Sequence, residues 1–240
     1  MGKAFYILIL WNNMAGRISE KLQREQAKWL REWQRYLVKR HMRDAKSALD
    51  VGCGCGYVME NLKDILRVTG IDTSEGEVLC AQKRGFSAIR AEGEHIPYPD
   101  EYFDIVYGNY LLLWTKDPLK IVKEMLRVSR RYVAFFAEPY WNGAIYQPSW
   151  LKKVVEYGRE VIRKRGGDPD FGINLGSLMK NFADDFIIGT IPLYTTYASM
   201  RNMVNFEVEF LKENGYEIRM EDVDIFYVPT FWGIIDKLHR

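Results

Sequence analysis

The sequence predicts an α/β fold built around a mostly parallel sheet. Two observations carry that expectation. Ala48-Leu49-Asp50-Val51 is a short apolar run holding one acid, and Gly52-Cys53-Gly54-Cys55-Gly56 follows at once, before a helical stretch opens at Tyr57. Strand, glycine turn and helix in that order begin a βαβ unit, and glycine lets the turn take positive φ and a ligand approach the backbone. From there on, strand-length apolar runs alternate with helix-length amphipathic ones, which calls for a parallel sheet covered by helices.

Taken in order, residues 4–11 are a short strand or an apolar anchor. Residues 17–43 read as one long helix, because Ile18, Leu22, Trp29, Trp33, Tyr36 and Leu37 recur at helical spacing with Lys21, Arg24, Lys28, Arg31 and Arg35 between them. Residues 47–51 are the first core strand, 57–66 the helix behind the glycine turn and 68–74 the second strand. A helix over 75–84 is stopped by Gly85. Residues 86–90 and 105–109 are the third and fourth strands. Asp117-Pro118 starts a helix reaching Val128, since proline suits a first helical turn. Residues 132–137 are the fifth strand and 150–165 a helix with a solvated basic face. Residues 185–192 read as a sixth strand and 201–214 as a helix stopped by Gly215. The stretches 216–219 and 223–229 look extended, and a short helix ends the chain.

The totals restrict the function. A length of 240 residues with 48% hydrophobic side chains suits one such domain and its core. Lys+Arg 34 against Asp+Glu 32 leaves +2, so no strong field for nucleic acid or an anionic membrane is expected. The 4–11 run is too short to span a bilayer and no small-x-small cleavage site follows it. Tyr6 occupies the Ser/Thr position of a myristoylation signal. Cys53, Cys55 and Cys80 are an odd number without a disulfide framework, which suits a reducing compartment. Cys53 and Cys55 read as small residues beside a ligand, and without a second pair at zinc spacing no metal is expected. A cytoplasmic enzyme is the simplest reading.

Two cofactor classes use such a glycine turn, and the spacing separates them. G-x-G-x-x-G counted from Gly52 needs glycine where Tyr57 stands, and counted from Gly54 it needs glycine where Met59 stands. The pattern present is acid-x-G-x-G-x-G, led by Asp50. It resembles motif I of the class I S-adenosylmethionine (SAM)-dependent methyltransferases. Gly70-Ile71-Asp72-Thr73-Ser74 is similar to that family's G-[VI]-D-x-S, and residues 91–104 resemble its G-D-A-x-x-L-P-F-x-D-x-x-F-D. Phe103 to Trp114, through Asn109, is similar to F-D-x-V-x-x-N-x-x-L-x-W. Residues 166–183 resemble an element that walls the substrate site in some members, and Trp11 to Arg17 a lead-in that closes over the methionine end of SAM.

The resemblance implies a doubly wound, Rossmann-like sheet of about seven strands, with SAM as cofactor and S-adenosylhomocysteine as product. It divides the single domain 1–240 into an N-terminal helical lid (1–44), a SAM-binding core (45–138), a substrate-side insertion after the fifth strand (139–186) and a C-terminal part of the sheet (187–240). It implies that Asp50, Gly52, Cys53 and Gly54 form the cofactor loop. Asp72 would take both ribose hydroxyls, with Thr73 against the adenine. An acid at that strand end also serves NAD enzymes, so Asp72 by itself argues only for an adenosine cofactor. Glu92, standing where the family has Asp, would accept from adenine N6, and the Gly93 N–H would face N1. Asn109 would lie near the methionine amino group, Arg17 on its carboxylate, and Trp11 over that end of the site.

The expected activity is methyl transfer to a small-molecule acceptor. Alignment and exclusion of water do most of that work. An oxygen acceptor would need a base, for which Glu138, His95 and Tyr140 are the candidates. Trp11, Trp114, Tyr140, Trp141 and Phe171 are candidate pocket walls. An RNA methyltransferase and a non-catalytic SAM-binding partner subunit stay open. An NAD oxidoreductase fails on Tyr57 and on residues 91–104. The acceptor and the oligomeric state are not legible in the sequence.

Overall fold

The structure, a computed structural model, describes residues 20–192 and 197–239, so the 4–11 run, Trp11 and Arg17 lie outside the described residues. The strands are β1 (Ser47–Val51), β2 (Arg67–Asp72), β3 (Ser87–Arg90), β4 (Phe103–Gly108), β5 (Ser129–Pro139), β6 (Ile145–Gln147), β7 (Ile187–Thr190), β8 (Ile225–Tyr227) and β9 (Thr230–Asp236). Seven of them form one sheet in the order β3-β2-β1-β4-β5-β9-β7, and β6 pairs with β8 apart from it. The pairings β3–β2–β1–β4–β5 are parallel, while β9 runs antiparallel to both β5 and β7. The strand order reverses between β1 and β4, which opens a crevice at their carboxyl ends.

The helices are α1 (Glu20–His41), α2 (Tyr57–Leu62), α3 (Glu75–Lys83), α4 (Pro118–Val128), α5 (Leu151–Lys164), α6 (Leu175–Met179) and α7 (Tyr197–Glu213). Their starts follow capping chemistry. The Ser74 hydroxyl accepts from the Glu77 N–H ahead of α3, and the Asp117 carboxylate accepts from the Lys120 N–H ahead of α4, where Pro118 opens the first turn. Consecutive strand residues face opposite ways, so the sheet has two buried faces. Leu37 and Val38 of α1, with Met42 just behind it, pack with Tyr107 and Phe136 on one face. Val122 and Met125 of α4 and Leu151 of α5 pack with Val106 and Phe135 on the other. Among the described residues, no helix is long and apolar enough to cross a membrane.

Three expectations are corrected. The end of the chain was expected to be a short helix, but Thr230–Asp236 is a sheet strand, with only one turn of 3-10 helix behind it. Trp232, Gly233, Ile234 and Ile235 are all buried, so no alternation betrays the strand. The helix behind the glycine turn ends at Leu62 instead of residue 66, because the chain turns there, with the Ile65 and Leu66 N–H groups donating back to Leu62. Cys55 and Cys80 form a disulfide, 25 residues apart in sequence, against the expectation of three free thiols in a reducing compartment. The fold brings α3 back against the glycine loop, where a Cβ on Gly56 would meet Phe86 and Ala81.

Candidate functional site

The glycine loop between β1 and α2 has the geometry its residues require. Gly52, Gly54 and Gly56 have φ of 76°, 51° and 77°, a region that side chains with a Cβ rarely enter. The Gly52 and Cys53 N–H groups donate to the Ile71 carbonyl at 2.9 and 3.0 Å, tying the loop to β2. A Cβ on Gly54 would sit 2.5 Å from Gln23 Oε1, which already accepts from the Cys55 N–H at 3.1 Å. The loop is thus pressed between β2 and α1, with no room for a larger residue.

Beside it lies a cavity of about 1170 Å³, lined by Gly52, Cys53, Gly54, Asp72, Thr73 and, across the floor, Glu92, Gly93 and Asn109. Eight of the eleven residues singled out in the sequence therefore share one space. Asp72 ends β2 with Oδ2 accepting from the Gly54 N–H at 3.0 Å and Oδ1 from the Ser74 N–H at 2.8 Å. Each oxygen keeps a lone pair for a further donor. Glu92 is largely exposed, with His95 3.9 Å from it at the surface.

Asp50 is placed differently. It is 2% exposed, does not line the cavity, and accepts from the Tyr107 hydroxyl at 3.0 Å. Burial holds its carboxyl well above the usual range; the Tyr107 bond acts against that, and the charge of Asp72 adds to it. Burial likewise raises the Cys53 thiol and leaves it protonated.

The sequence reading of residues 17–43 missed the polar side chains that α1 brings to the cavity. Gln23, Gln26 and Ala27 line the cavity. The Gln34 amide donates to Asn109 Oδ1 at 2.9 Å, Gln34 Oε1 accepts from Asn61 at 2.7 Å, and Asn61 also donates to the Ala27 carbonyl at 2.7 Å. This polar chain fixes Asn109 from the helix above. Its signal was present, since Gln34 stands among Leu30, Leu37 and Val38 on the buried stripe of α1 and is itself 0% exposed. A polar residue on such a stripe needs a partner.

Behind β4 the chain makes a strained turn, with Tyr110 at φ 51°. The Tyr110 N–H donates to the Ala137 carbonyl at 2.8 Å. Glu138, 0% exposed at the end of β5, accepts from the N–H groups of Leu111, Leu112 and Leu113 at 2.9, 2.9 and 3.2 Å. Burial pushes its carboxyl up to about 7, against the pull of those three donors. Glu138 is therefore committed to holding the loop. Tyr140 lines neither this cavity nor the one beside it, Phe171 packs into the core, and Trp114 and Trp141 wall the second cavity.

Residues 49–136 match the family described as "Methyltransferase domain". Over that stretch the chain is similar to the class I, SAM-dependent methyltransferases, and it has their fold. A SAM-dependent methyltransferase from Archaeoglobus fulgidus shares the fold, with a TM-score of 0.55 and 14% identity over 86% of this chain and 94% of that one. An uncharacterized protein of Methanocaldococcus jannaschii is 32% identical over 121 residues, 50% of this chain and 54% of the relative. The mitochondrial arginine-hydroxylase of Rattus norvegicus is 24% identical over 122 residues, 49% of this chain and 36% of the relative. The chain thus spans about half or less of those curated relatives. The methyltransferase family's cofactor is SAM, and the residues fit it: the glycine loop lines the cavity, and Asp72 retains acceptors at the cavity wall.

Proposed function

We propose that the protein transfers the methyl group of SAM to a small-molecule acceptor and releases S-adenosylhomocysteine. The observation that supports this best is the shared cavity, where the glycine loop, Asp72, Glu92 and Asn109 converge. When bound, SAM supplies a methyl group already activated on a sulfonium. Asp72 would receive the ribose hydroxyls, and Thr73, Glu92 and Gly93 would frame the adenine. Gly52, Cys53, Gly54 and Asn109 would face the methionine end, with Asp50 supporting the loop from beneath. Trp11 and Arg17 would close over that end, within a lid formed by residues 1–44. Glu138 holds the Tyr110–Trp114 turn in place beside the cavity.

With a charge of only +2, no nucleic-acid partner belongs to this reading. A cytoplasmic location goes with it, and there the Cys55–Cys80 bond would be exposed to cellular thiols. The match to an arginine-hydroxylase favours one second reading, SAM-fold binding serving another reaction.

Calorimetry with SAM, S-adenosylhomocysteine and NAD tests the cofactor assignment. SAM should bind with a micromolar dissociation constant and NAD should not. Binding of NAD without SAM would overturn it. Incubation with methyl-labelled SAM and a cellular metabolite extract should then place label in small molecules, whereas label in RNA would favour the nucleic-acid alternative.

A further inference from the structure

A second cavity, of about 530 Å³, adjoins the first, and Tyr110 and Trp114 line both. Its walls are aromatic and come from separate elements: Trp29 of α1, Tyr110 and Trp114 behind β4, and Phe206 of α7. Two carboxylates stand in this shell, Glu25 of α1, which is paired with Lys28, and Glu207 of α7. No hydrogen-bond or ion-pair partner reaches Glu207 among the described residues. The nearby cations are engaged elsewhere. Lys28 and its partner Glu25, 2.7 Å apart, lie on the same wall, and Lys21, held by Glu209 at 2.6 Å, stands over the Phe206 ring.

Glu207 is half-buried, and a carboxylate drawn partly out of water without a donor is costly as an anion. Desolvation accordingly pushes Glu207 up to about 7. Its charge is restored at least cost by a ligand that brings a positive one. Aromatic faces accept the same charge, because their quadrupoles attract cations. A neutral alcohol would leave Glu207 without a counter-charge, and a carboxylic acid would add repulsion.

We propose that this cavity is the acceptor site and that its acceptor is a small organic amine, with the ammonium paired to Glu207 and the apolar body between Trp29, Trp114 and Phe206. The proposal rests on the methyltransferase reading and names its substrate class. Transfer of one ammonium proton to a Glu207 carboxylate oxygen leaves a neutral acid and a neutral amine, whose nitrogen lone pair is then free. The raised carboxyl suits that exchange at neutral pH.

Binding, measured by calorimetry in the presence of S-adenosylhomocysteine, tests this without turnover. The probes are phenethylamine, 2-phenylethanol and 3-phenylpropanoate, which share a ring and differ in charge. Phenethylamine should bind at least about tenfold tighter than the alcohol, and the acid weakest. Glu207→Gln should cost the amine about tenfold or more while leaving S-adenosylhomocysteine and 2-phenylethanol unchanged. Equal affinity for amine and alcohol, an unaffected variant, or no amine binding up to about 10 mM overturns the proposal. If S-adenosylhomocysteine itself fails to bind, the methyltransferase reading falls instead, so the two failures are distinguishable.

Discussion

Asp72 shows how much one carboxylate does here. Its two oxygens already order the glycine loop and the β2 exit through Gly54 and Ser74, and the residue lines the cavity with acceptor capacity left over. Asp72→Ala should therefore weaken SAM by about ten- to a hundredfold, the worth of one or two charge-assisted hydrogen bonds. Glu92→Gln should cost less, on the order of tenfold at most, because that side chain is largely exposed and the amide keeps an acceptor. Calorimetry with SAM checks both, and an Asp72→Ala affinity equal to wild type would remove Asp72 from the ribose. Asp72 was legible as an acid at a strand end, and Glu92 through the resemblance of residues 91–104 to the family's segment. Gln23, Gln34 and Asn61 were not legible in that way, because their partners lie 27 to 75 residues away. Glu138 was legible as an acid at the end of the fifth strand and a candidate base, but not as the anchor of a turn. Only the fold reveals that three backbone donors converge on it.

At the scale of elements, Glu138 joins β5 to the turn that follows β4, and that turn walls both cavities. Glu138→Gln leaves one carbonyl oxygen for three donors and turns an NH₂ group toward them. A loss of about 1–3 kcal/mol follows, read as a fall of several degrees in melting temperature for a chain of this size. Amide exchange should rise locally at Leu111, Leu112 and Leu113, and SAM should bind more weakly. A fall in stability with unchanged exchange in that turn would place the effect elsewhere. The same scale explains what the sequence conveyed about the sheet. β1 to β5 were readable because glycine, proline and capping residues punctuate the strands and helices between them. β9 was not, since its residues are buried on both faces and carry no period. The Cys55–Cys80 bond was equally hidden, because it depends on α3 folding back onto the glycine loop.

For the molecule as a whole, the near-neutral charge leaves pH dependence to a few individual groups. Asp50, Glu138 and Glu207 are all raised, in each case chiefly by desolvation, the two glutamates to about 7 from an ordinary 4.5. A raised carboxyl binds its proton more tightly in the folded chain than in the unfolded one. Its stabilising effect is therefore complete below about pH 4.5 and is lost as pH rises through 7. Asp104 and Glu124 are shifted the other way, Asp104 by backbone and Ser47 hydrogen bonds that outweigh its burial and Glu124 chiefly by its bond to Arg127, so their contribution is lost only in acid. The protein free of ligands should accordingly melt at progressively lower temperature between pH 4.5 and 8, at fixed ionic strength. Glu207→Gln cannot titrate there, so its melting curve should fall less steeply over that window than that of the wild type. A bound amine should flatten the wild-type slope as well, by supplying the counter-charge that Glu207 lacks. Parallel slopes for wild type and variant would show that Glu207 titrates alike in the folded and unfolded chain. The desolvated carboxylate at the wall of the aromatic cavity would then have no energetic reality.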